Sequence, residues 1–420
     1  MAAWYNAPAL GMKLLSVKAA QRRIATSLAP VQTERVPLER ALGRVMAEAA
    51  RSAVLPRFDN SSVDGFAVLA SDVRGATQAS PRRLRVAADV PAGRKSPVRV
   101  TAGRAARIMT GAPIPRGATA VVMLEDTDFA ARPDQRELPP SVQVLRSVSR
   151  GENIRRRGMD VAGGRLVLLA GHTLRSQDLG LLAMLGRTRV RVFRRPRVAL
   201  LASGNELTRR GRRLRPGQVI DVNSITLAAL IEAAGCEVIG LGIARDTSND
   251  IERLLRKAVQ WNADLIVSSA GVSVGAFDLV RDVIMEGGRI DFWRVNVRPG
   301  KPLAVGEYRG IPFIGLPGNP VSAFVGFELF VRPAIARLSG AVLPRRRPVQ
   351  VRLSKAIKLD GRESYLRAVI TERRGNLFAR LVSHQGSGNL LSLVQANALL
   401  LFPAGVKSLA AGDRVDAWWL

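Results

Sequence analysis

Between residues 188 and 338 the apolar positions change period in a regular order. Unbroken apolar runs, RVALL at 197–201, EVIGLGI at 237–243 and DLIVSSA at 264–270, alternate with amphipathic stretches, SITLAALIEAAG from Ser224 and NDIERLLRKAVQ from Asn249, and a further helical pattern runs from Asp278 to Gly287. Continuous apolar runs are strands buried on both faces, and spacings of three and four mark helices. The alternation therefore predicts a doubly wound, mostly parallel sheet with helices on both faces. Gly235 is placed as a helix stop, and Asn249 with Glu252 as a capping box. Earlier in the chain, Val17, Ala20, Ile24 and Leu28 follow helical spacing behind Ser16, a natural N-cap, and Pro30 ends that helix. A second helix is expected from Leu38 to Ala49. From 51 the pattern changes to short β-prone runs broken by Pro and Gly, such as LRVAADVPAG and ATAVVMLEDTDF; residues 149–187 are mixed, with a capped helix from Ser176. After 345 β-prone runs return, with a hairpin turn at Gly375–Asn376.

The expected fold class is α/β multidomain. Its parts are a doubly wound, mostly parallel sheet domain (188–338), a discontinuous helical domain (10–50 and 148–187), an inserted β domain (51–147) and a C-terminal β-barrel or sandwich (345–420).

Composition narrows the chemistry. No apolar run approaches the roughly 20 residues that cross a bilayer, and no basic region precedes an apolar leader, so a cytosolic protein without membrane partners is expected. Cys236 stands alone, between a helical and a strand pattern, and reads as a core thiol. With only His172 and His384 besides, zinc-type spacing is absent, so a bound metal would rest on oxygen ligands and be hard, like Mg²⁺. A formal charge of +30 suggests polyanions, but the arginines are scattered and aromatics are only 5%, too few for base stacking; a nucleic-acid partner is not expected. An anionic small substrate accounts for the charge better.

The polar residues fall where an open α/β sheet binds ligands, after the carboxyl ends of the strands. Ser203, Gly204, Asn205 and Glu206 follow the first strand, Asp246 the second, and SSAGVSVGAFD (268–278) the third. In that last loop Gly271 and Gly275 permit close backbone approach, and Ser268, Ser269 and Ser273 add hydroxyls, a set suited to an anion. Glu206, Asp246 and Asp278 near Arg294, Arg298 and Lys301 form a set able to carry Mg²⁺ and oxyanions together, although each also reads as a cap or an ion pair. LPRFDNSSVDGFAV (55–68) clusters Asp59 and Asp64 around an Asn-Ser-Ser turn, and RIMTGAPIP (107–115) sets Thr110 and Gly111 past a strand; an ordinary turn would explain either. In SHQGSGNLLS (383–392), His384 is either an acid–base group or a loop hydrogen-bonder.

FDNSSVDGFA, RIMTGA, IRRRGMD, SGNEL, SSAGVSVGAFD, RPGKPLA, GLPGNPVS and HQGSGNLLS, in this order over nearly the whole chain, closely resemble the molybdopterin molybdenumtransferase family, also seen as the gephyrin E domain. The resemblance implies four domains and an elongated homodimer whose cleft lies between the α/β domain of one subunit and the inserted domain of the other. It implies a reaction that takes adenylated molybdopterin and molybdate, cleaves the pyrophosphate linkage with Mg²⁺, and releases AMP and molybdenum cofactor. By the same resemblance Asp59, Asp64 and Thr110 come from the partner subunit, and Glu206, Asp246 and Asp278 handle metal and the phosphate break. Arg298, Lys301, Ser322, Arg367 and Ser387 form a molybdate pocket. Ser203, Gly204, Gly271, Ser273 and Gly275 lie against the pterin phosphate, and Arg156, Asp160, Ser269, Arg294, Gly318 and Asn319 complete the substrate-binding set.

Arg294 and Arg298 stand where lysines are common in that family, Ala270 where a glycine is common, and Asn205 where an aspartate is common. An arginine fork still binds oxyanions but differs from an ammonium point charge. Two rival readings remain. One is molybdopterin adenylyltransfer, whose stand-alone enzymes share the α/β domain and figure otherwise as a candidate partner; such a protein would lack the FDNSSVDG block and the β tail. The other is a non-catalytic scaffold or pterin carrier, which would predict loss of the acidic set.

Overall fold

The computed structural model describes residues 14–94, 98–132, 134, 136–269, 276–342 and 348–420, and their side chains except those of 276–278 and 293. Contacts divide the chain into two compact units, one made of the segment up to Glu48 with Ala170–Leu420, the other of Ala49–Leu169.

In the first unit a six-stranded sheet runs in the order Glu237–Ala244, Arg197–Ser203, Leu265–Ser269, Ile311–Leu316, Pro302–Tyr308, Gly288–Arg294. The first four strands are mutually parallel and the last two add in antiparallel fashion. Successive side chains of a strand leave on opposite faces, and the runs are apolar at every position, so both faces must be covered. Val198, Leu200, Leu265 and Val267 pack with Leu227 and Ile231 of helix Asn223–Ala233 and with Val17, Ala20 and Ile24 of helix Val17–Thr26. Ala199, Leu201 and Ile266 pack with Ile251, Leu254 and Leu255 of helix Ser248–Gln260 and with Val280, Val283 and Ile284 of helix Ala276–Gly287. Removing such a side chain to Ala would cost about 2–5 kcal/mol. Cys236 belongs to the first of these clusters, and burial pushes its thiol up to about 12.

Local signals succeed and fail for visible reasons. Ser16 Oγ accepts the N–H of Ala19 at 3.2 Å, and Gly235 at φ +85° ends its helix. The helix from Ser248 is capped by Thr247, whose Oγ1 accepts from the Asp250 N–H at 3.3 Å, two residues before the expected Asn249; Glu252 instead holds Arg256. The expected helix Leu38–Ala49 is a 3₁₀ turn, Leu38–Arg40, after a strand, Thr33–Pro37, that pairs with Arg189–Phe193. Leu38, Ala41, Val45 and Met46 are buried at near-helical spacing, but Gly43 at φ +72° turns the chain out of the helix after one turn.

A closed barrel follows in the same unit. Glu363–Arg373 pairs with Asn376–Leu381 and with Ala398–Phe402, while Val349–Leu353 bridges Asn376–Leu381 and Arg414–Trp419, and the last pairs with Ala398–Phe402 to close the ring. Closure leaves a five-stranded barrel with its own apolar core around Leu366, Ile370, Leu400 and Val415. The hairpin turn sits on Arg374 and Gly375, both at positive φ, one residue earlier than expected. The short strand Val297–Arg298 adds to the barrel in parallel beside Glu363 and Ser364, which ties the loop after Gly288–Arg294 to the barrel wall.

The second unit holds a five-stranded sheet in the order Ala120–Met123, Gly65–Val68, Arg104–Ile108, Arg82–Val90, Ser141–Val144. Pairs Asn60–Ser61 with Ile154–Arg155, and Ala50–Arg51 with Leu166–Leu168, carry this unit past residue 147 to Leu169.

Candidate functional site

At the carboxyl ends of Arg197–Ser203 and Leu265–Ser269 the strands finish in hydroxyls. Ser203, Ser268 and Ser269 are buried, and none of their Oγ atoms has a partner among the described residues. Buried hydroxyls are ordinarily paired, so three orphans at adjacent parallel strand ends stand out; Ser268 and Ser269, successive on one strand, face opposite sides of the sheet, and Ser203 is the one of the three that lines the cleft. The next residue, Gly204, lies at φ +149°, and a Cβ there would stand 2.6 Å from a Glu206 carboxylate oxygen. The Glu206 carboxylate could swing aside, but the positive φ itself strains any residue with a Cβ, which favours glycine in that turn. Asn205 and Asp246 clasp each other: the Asn205 N–H donates to Asp246 Oδ2 at 3.1 Å, and the Asp246 N–H to Asn205 Oδ1 at 3.2 Å. The clasp joins the turns after two neighbouring strands.

Ser203, Gly204 and Glu206 form one wall of a cleft of about 930 Å³. The rest of its lining comes from the loop Arg298–Pro302, the turn Pro317–Pro320 with Ser322, and the barrel's Arg362, Arg367 and Gln385–Gly388. Asn319 leads into helix Pro320–Gly326, and its side-chain amide donates to Ser387 Oγ at 3.0 Å, while the Val321 N–H donates to the Ser387 carbonyl at 3.0 Å. The HQGSGN loop is thereby sewn to the GLPGNP turn.

Arg367 is the most unusual group in this lining. It is fully buried, yet among the described residues no carboxylate pairs with it. Its Nε donates to Ser392 Oγ at 3.0 Å and its Nη2 to the carbonyl of Gly386 at 2.9 Å, leaving Nη1 without a partner. Gln385 brackets the same residue, accepting from the Arg367 N–H at 3.1 Å and donating to its carbonyl at 2.8 Å. Burial, and secondarily Arg298, pulls the guanidinium down to about 10, so it remains a cation at neutral pH. An uncompensated buried cation is costly, and an anion in the cleft relieves that cost. Arg298 is nearby and only loosely held, its Nη1 lying 3.5 Å from Asp360, whose carboxyl is kept low mainly by its hydrogen bond with Arg362.

In the second unit the sequence blocks converge as a separate cluster. Asp59 accepts from Arg156 Nη1 at 2.8 Å and from the Arg157 N–H at 2.7 Å. Asp64 accepts from the N–H and the hydroxyl of Thr110 at 2.6 and 2.7 Å. The backbone N–H of Arg157 and that of Thr110 are the largest influences holding these two carboxyls below their usual range. Asp160 pairs with Arg155, and the buried Oδ1 of Asn60 has no partner among the described residues. FDNSSVDG, TGAP and IRRRGMD thus fold into one surface.

Of the expected residues, Ser203, Gly204, Glu206, Arg298, Lys301, Gly318, Asn319, Ser322, Arg367 and Ser387 line the cleft. Asp59, Asp64, Thr110, Arg156 and Asp160 gather in the second unit. Ser269 is buried at the end of Leu265–Ser269, outside the cleft lining. Asp246 stands behind the cleft wall in its clasp with Asn205, and Arg294 is exposed at a strand end outside the cleft lining. Gly271, Ser273, Gly275 and Ala270 lie outside the described residues, as does the side chain of Asp278. Among the described residues no group of three or more His, Cys, Asp or Glu is poised around one metal position. His384 is exposed and its Nδ1 faces the Asn389 amide at 3.0 Å, so it acts as a loop hydrogen-bonder.

Several cleft residues escaped the sequence reading. Asp221 caps helix Asn223–Ala233 by accepting from the Ser224 N–H at 3.0 Å, and Asn223 donates to the Gly318 carbonyl at 2.7 Å, fastening two turns together. Their DVNS stretch read only as a helix start. Arg362, Gln385 and Ser392 act through Asp360 and Arg367, contacts that no spacing along the chain reveals.

These features define an α/β protein in which the end of a parallel sheet, through Ser203 and Gly204, and a β-barrel, through a buried arginine, line one cleft. The chain matches three family descriptions in succession: "MoeA N-terminal region (domain I and II)" over residues 15–186, "Probable molybdopterin binding domain" over 199–337, and "MoeA C-terminal region (domain IV)" over 350–420. It is 38% identical to molybdopterin molybdenumtransferase 2 of Mycobacterium tuberculosis, over 96% of this chain and 99% of that one. It is 36% identical to the molybdopterin molybdenumtransferase of a Nostoc species, over 91% and 88% of the two chains. The crystal structure of the molybdopterin biosynthesis moeA protein from Pyrococcus horikoshii OT3 superposes with a TM-score of 0.81 at 31% identity, covering 97% of this chain and 100% of that one. The chain belongs to the molybdopterin molybdenumtransferase family and is a transferase of molybdenum cofactor biosynthesis.

Proposed function

We propose that the protein inserts molybdenum from molybdate into adenylated molybdopterin, releasing AMP and molybdenum cofactor. The observation that carries this reading is Arg367, a buried cation with one unpaired Nη1 in the wall of a cleft that also holds Arg298 and Lys301. Such a group selects a compact dianion such as molybdate, and three cationic side chains restrain it where transfer to the dithiolene becomes effectively unimolecular. On the same lining, the Ser203 hydroxyl, which has no partner among the described residues, suits the pterin phosphate.

Mg²⁺ belongs to this reading. Glu206 is an exposed carboxylate on the cleft wall and Asp246 keeps one carboxylate oxygen outside its clasp, so the donors on the page are the hard oxygens such a cation takes. With Asp278 they would hold it, and when bound it would neutralise charge on the pyrophosphate. The protein's own groups do the rest: Gly204 lets the chain approach the phosphate, and Arg298, Lys301 and Arg367 hold the oxyanion. We further propose a homodimer in which Asp59, Asp64 and Thr110 serve the cleft of the partner subunit.

The test is to incubate the purified protein with adenylated molybdopterin, Mg²⁺ and molybdate and to measure AMP. Release that depends on molybdate supports the transfer; substrate bound but left intact would favour a carrier. Asp278→Asn is expected to stay folded and to abolish release, and an unaffected rate would remove Asp278 from the acidic set.

A further inference from the structure

A second positive feature rises from the cleft's rim. Two short strands, Leu207–Thr208 and Val219–Ile220, pair in parallel and hold the ends of a loop, 209–218, against the wall to which Glu206, Leu207, Val219 and Ile220 contribute. Arg209, Arg210, Arg212, Arg213 and Arg215 all stand on this loop, all exposed. No acidic residue occurs between Leu207 and Ile220, so nothing on the loop offsets the charge. Exposed Arg253 and Arg256, by contrast, each pair with an acid within four residues, Asp250 and Glu252. Among the described residues these five form no ion pair. Glu206 and Asp246 are near in the chain or across the turn, but Asp246 is engaged by Asn205 and neither receives a hydrogen bond from the loop.

Position decides what the loop serves. It follows Arg197–Ser203, and the residues at its two ends line the same cleft as Arg367. Arg209 turns back over the sheet: a Cβ on Gly242 would lie 3.4 Å from its Nη2, which places the guanidinium over the end of Glu237–Ala244. We infer that the loop is a clamp for a diphosphate, the linkage of the nucleotide-bearing substrate, and determines specificity for that end of it. Guanidinium forks match adjacent phosphates two oxygens at a time, whereas a single compact oxyanion needs only the site at Arg367. The inference rests on the reading of the cleft as one for an adenylated pterin.

The experiment measures binding, not turnover. ADP, inorganic pyrophosphate and molybdate are titrated calorimetrically into the full-length protein and into R209Q/R210Q/R212Q/R213Q/R215Q. The variant is expected to bind ADP and pyrophosphate about tenfold or more weakly, the loss of at least one charge-assisted pair, with molybdate affinity within about twofold. Circular dichroism checks that the variant keeps the fold. A version with five lysines is expected to recover only part of the affinity. Unchanged ADP and pyrophosphate affinity, or an equal loss for molybdate, would overturn the clamp. Failure of molybdate-dependent AMP release alongside the diphosphate-specific loss would leave the clamp standing and remove the transferase reading instead.

Discussion

Arg367 shows how a single side chain carries both architecture and chemistry. Its Nε and Nη2 hold Ser392 and the Gly386 carbonyl, so the guanidinium is locked before any ligand arrives, and the remaining Nη1 is held ready for one. Arg367→Leu is expected to abolish the thermal stabilisation that molybdate or tungstate gives the wild type, which amounts to about 2.7 kcal/mol at a hundred times Kd. The same change strands two buried acceptors, at about 1–3 kcal/mol each, so the variant should also melt lower without ligand. Differential scanning calorimetry with and without oxyanion separates the two effects. At Gly204 the limit lies in the backbone: Gly204→Ala puts a Cβ at φ +149°, and about 1–3 kcal/mol of strain is expected in urea unfolding even as the exposed Glu206 carboxylate swings clear of the added methyl. Both roles are partly legible from sequence. The SGNEL turn announces a glycine, but that Arg367 is buried without a counter-ion is known only once the barrel closes around it.

At the scale of elements, the helix from Ser248 rests on a cap that a one-dimensional pattern misplaces, because Thr, Ser, Asn and Asp stand in a row and each has cap chemistry. Thr247→Ala is expected to cost about 1 kcal/mol by urea unfolding, and Asn249→Ala a few tenths at most. The doubly wound sheet was legible because its strands are apolar at every position, a signal that survives any tertiary context. The segment after Leu38 was not: buried positions at near-helical spacing pointed to a helix, and one positive-φ glycine overruled them. The loops of the second unit have a pH signature. Asp59 and Asp64 have folded pKa values below the unfolded value near 3.9, so they bind fewer protons when folded. Their contribution is present above that value and is lost as pH falls through the folded values. The urea midpoint is therefore expected to fall in acid below about pH 4, and Asp64→Asn to flatten part of that slope.

For the whole molecule, the two clusters of expected site residues lie in different compact units. The proposed dimer makes this arrangement testable by mixing. Chains carrying Asp59→Asn and chains carrying Asp278→Asn, each inactive alone, are expected to regain about a quarter of wild-type AMP release when exchanged in equal amounts. Half the dimers are then mixed, and one of their two clefts is intact. No recovery after verified subunit exchange would place both carboxylates in one subunit's cleft. The order of motifs along the chain suggested their membership of one site, but no periodicity can report which copy of the chain supplies each one.

The lone cysteine offers a different use of the fold. Cys236 sits at 3% exposure beneath the doubly wound sheet, with its thiol pushed up to about 12 by burial, so in the native state it is neither accessible nor ionised. An alkylating reagent can react only with molecules in which that sheet has opened. Because no other thiol competes, the rate of labelling times the unfolding of this region alone, without a probe having to be added. Measured with and without oxyanion, that rate would report whether a ligand held at the barrel side slows the opening of the sheet on the other.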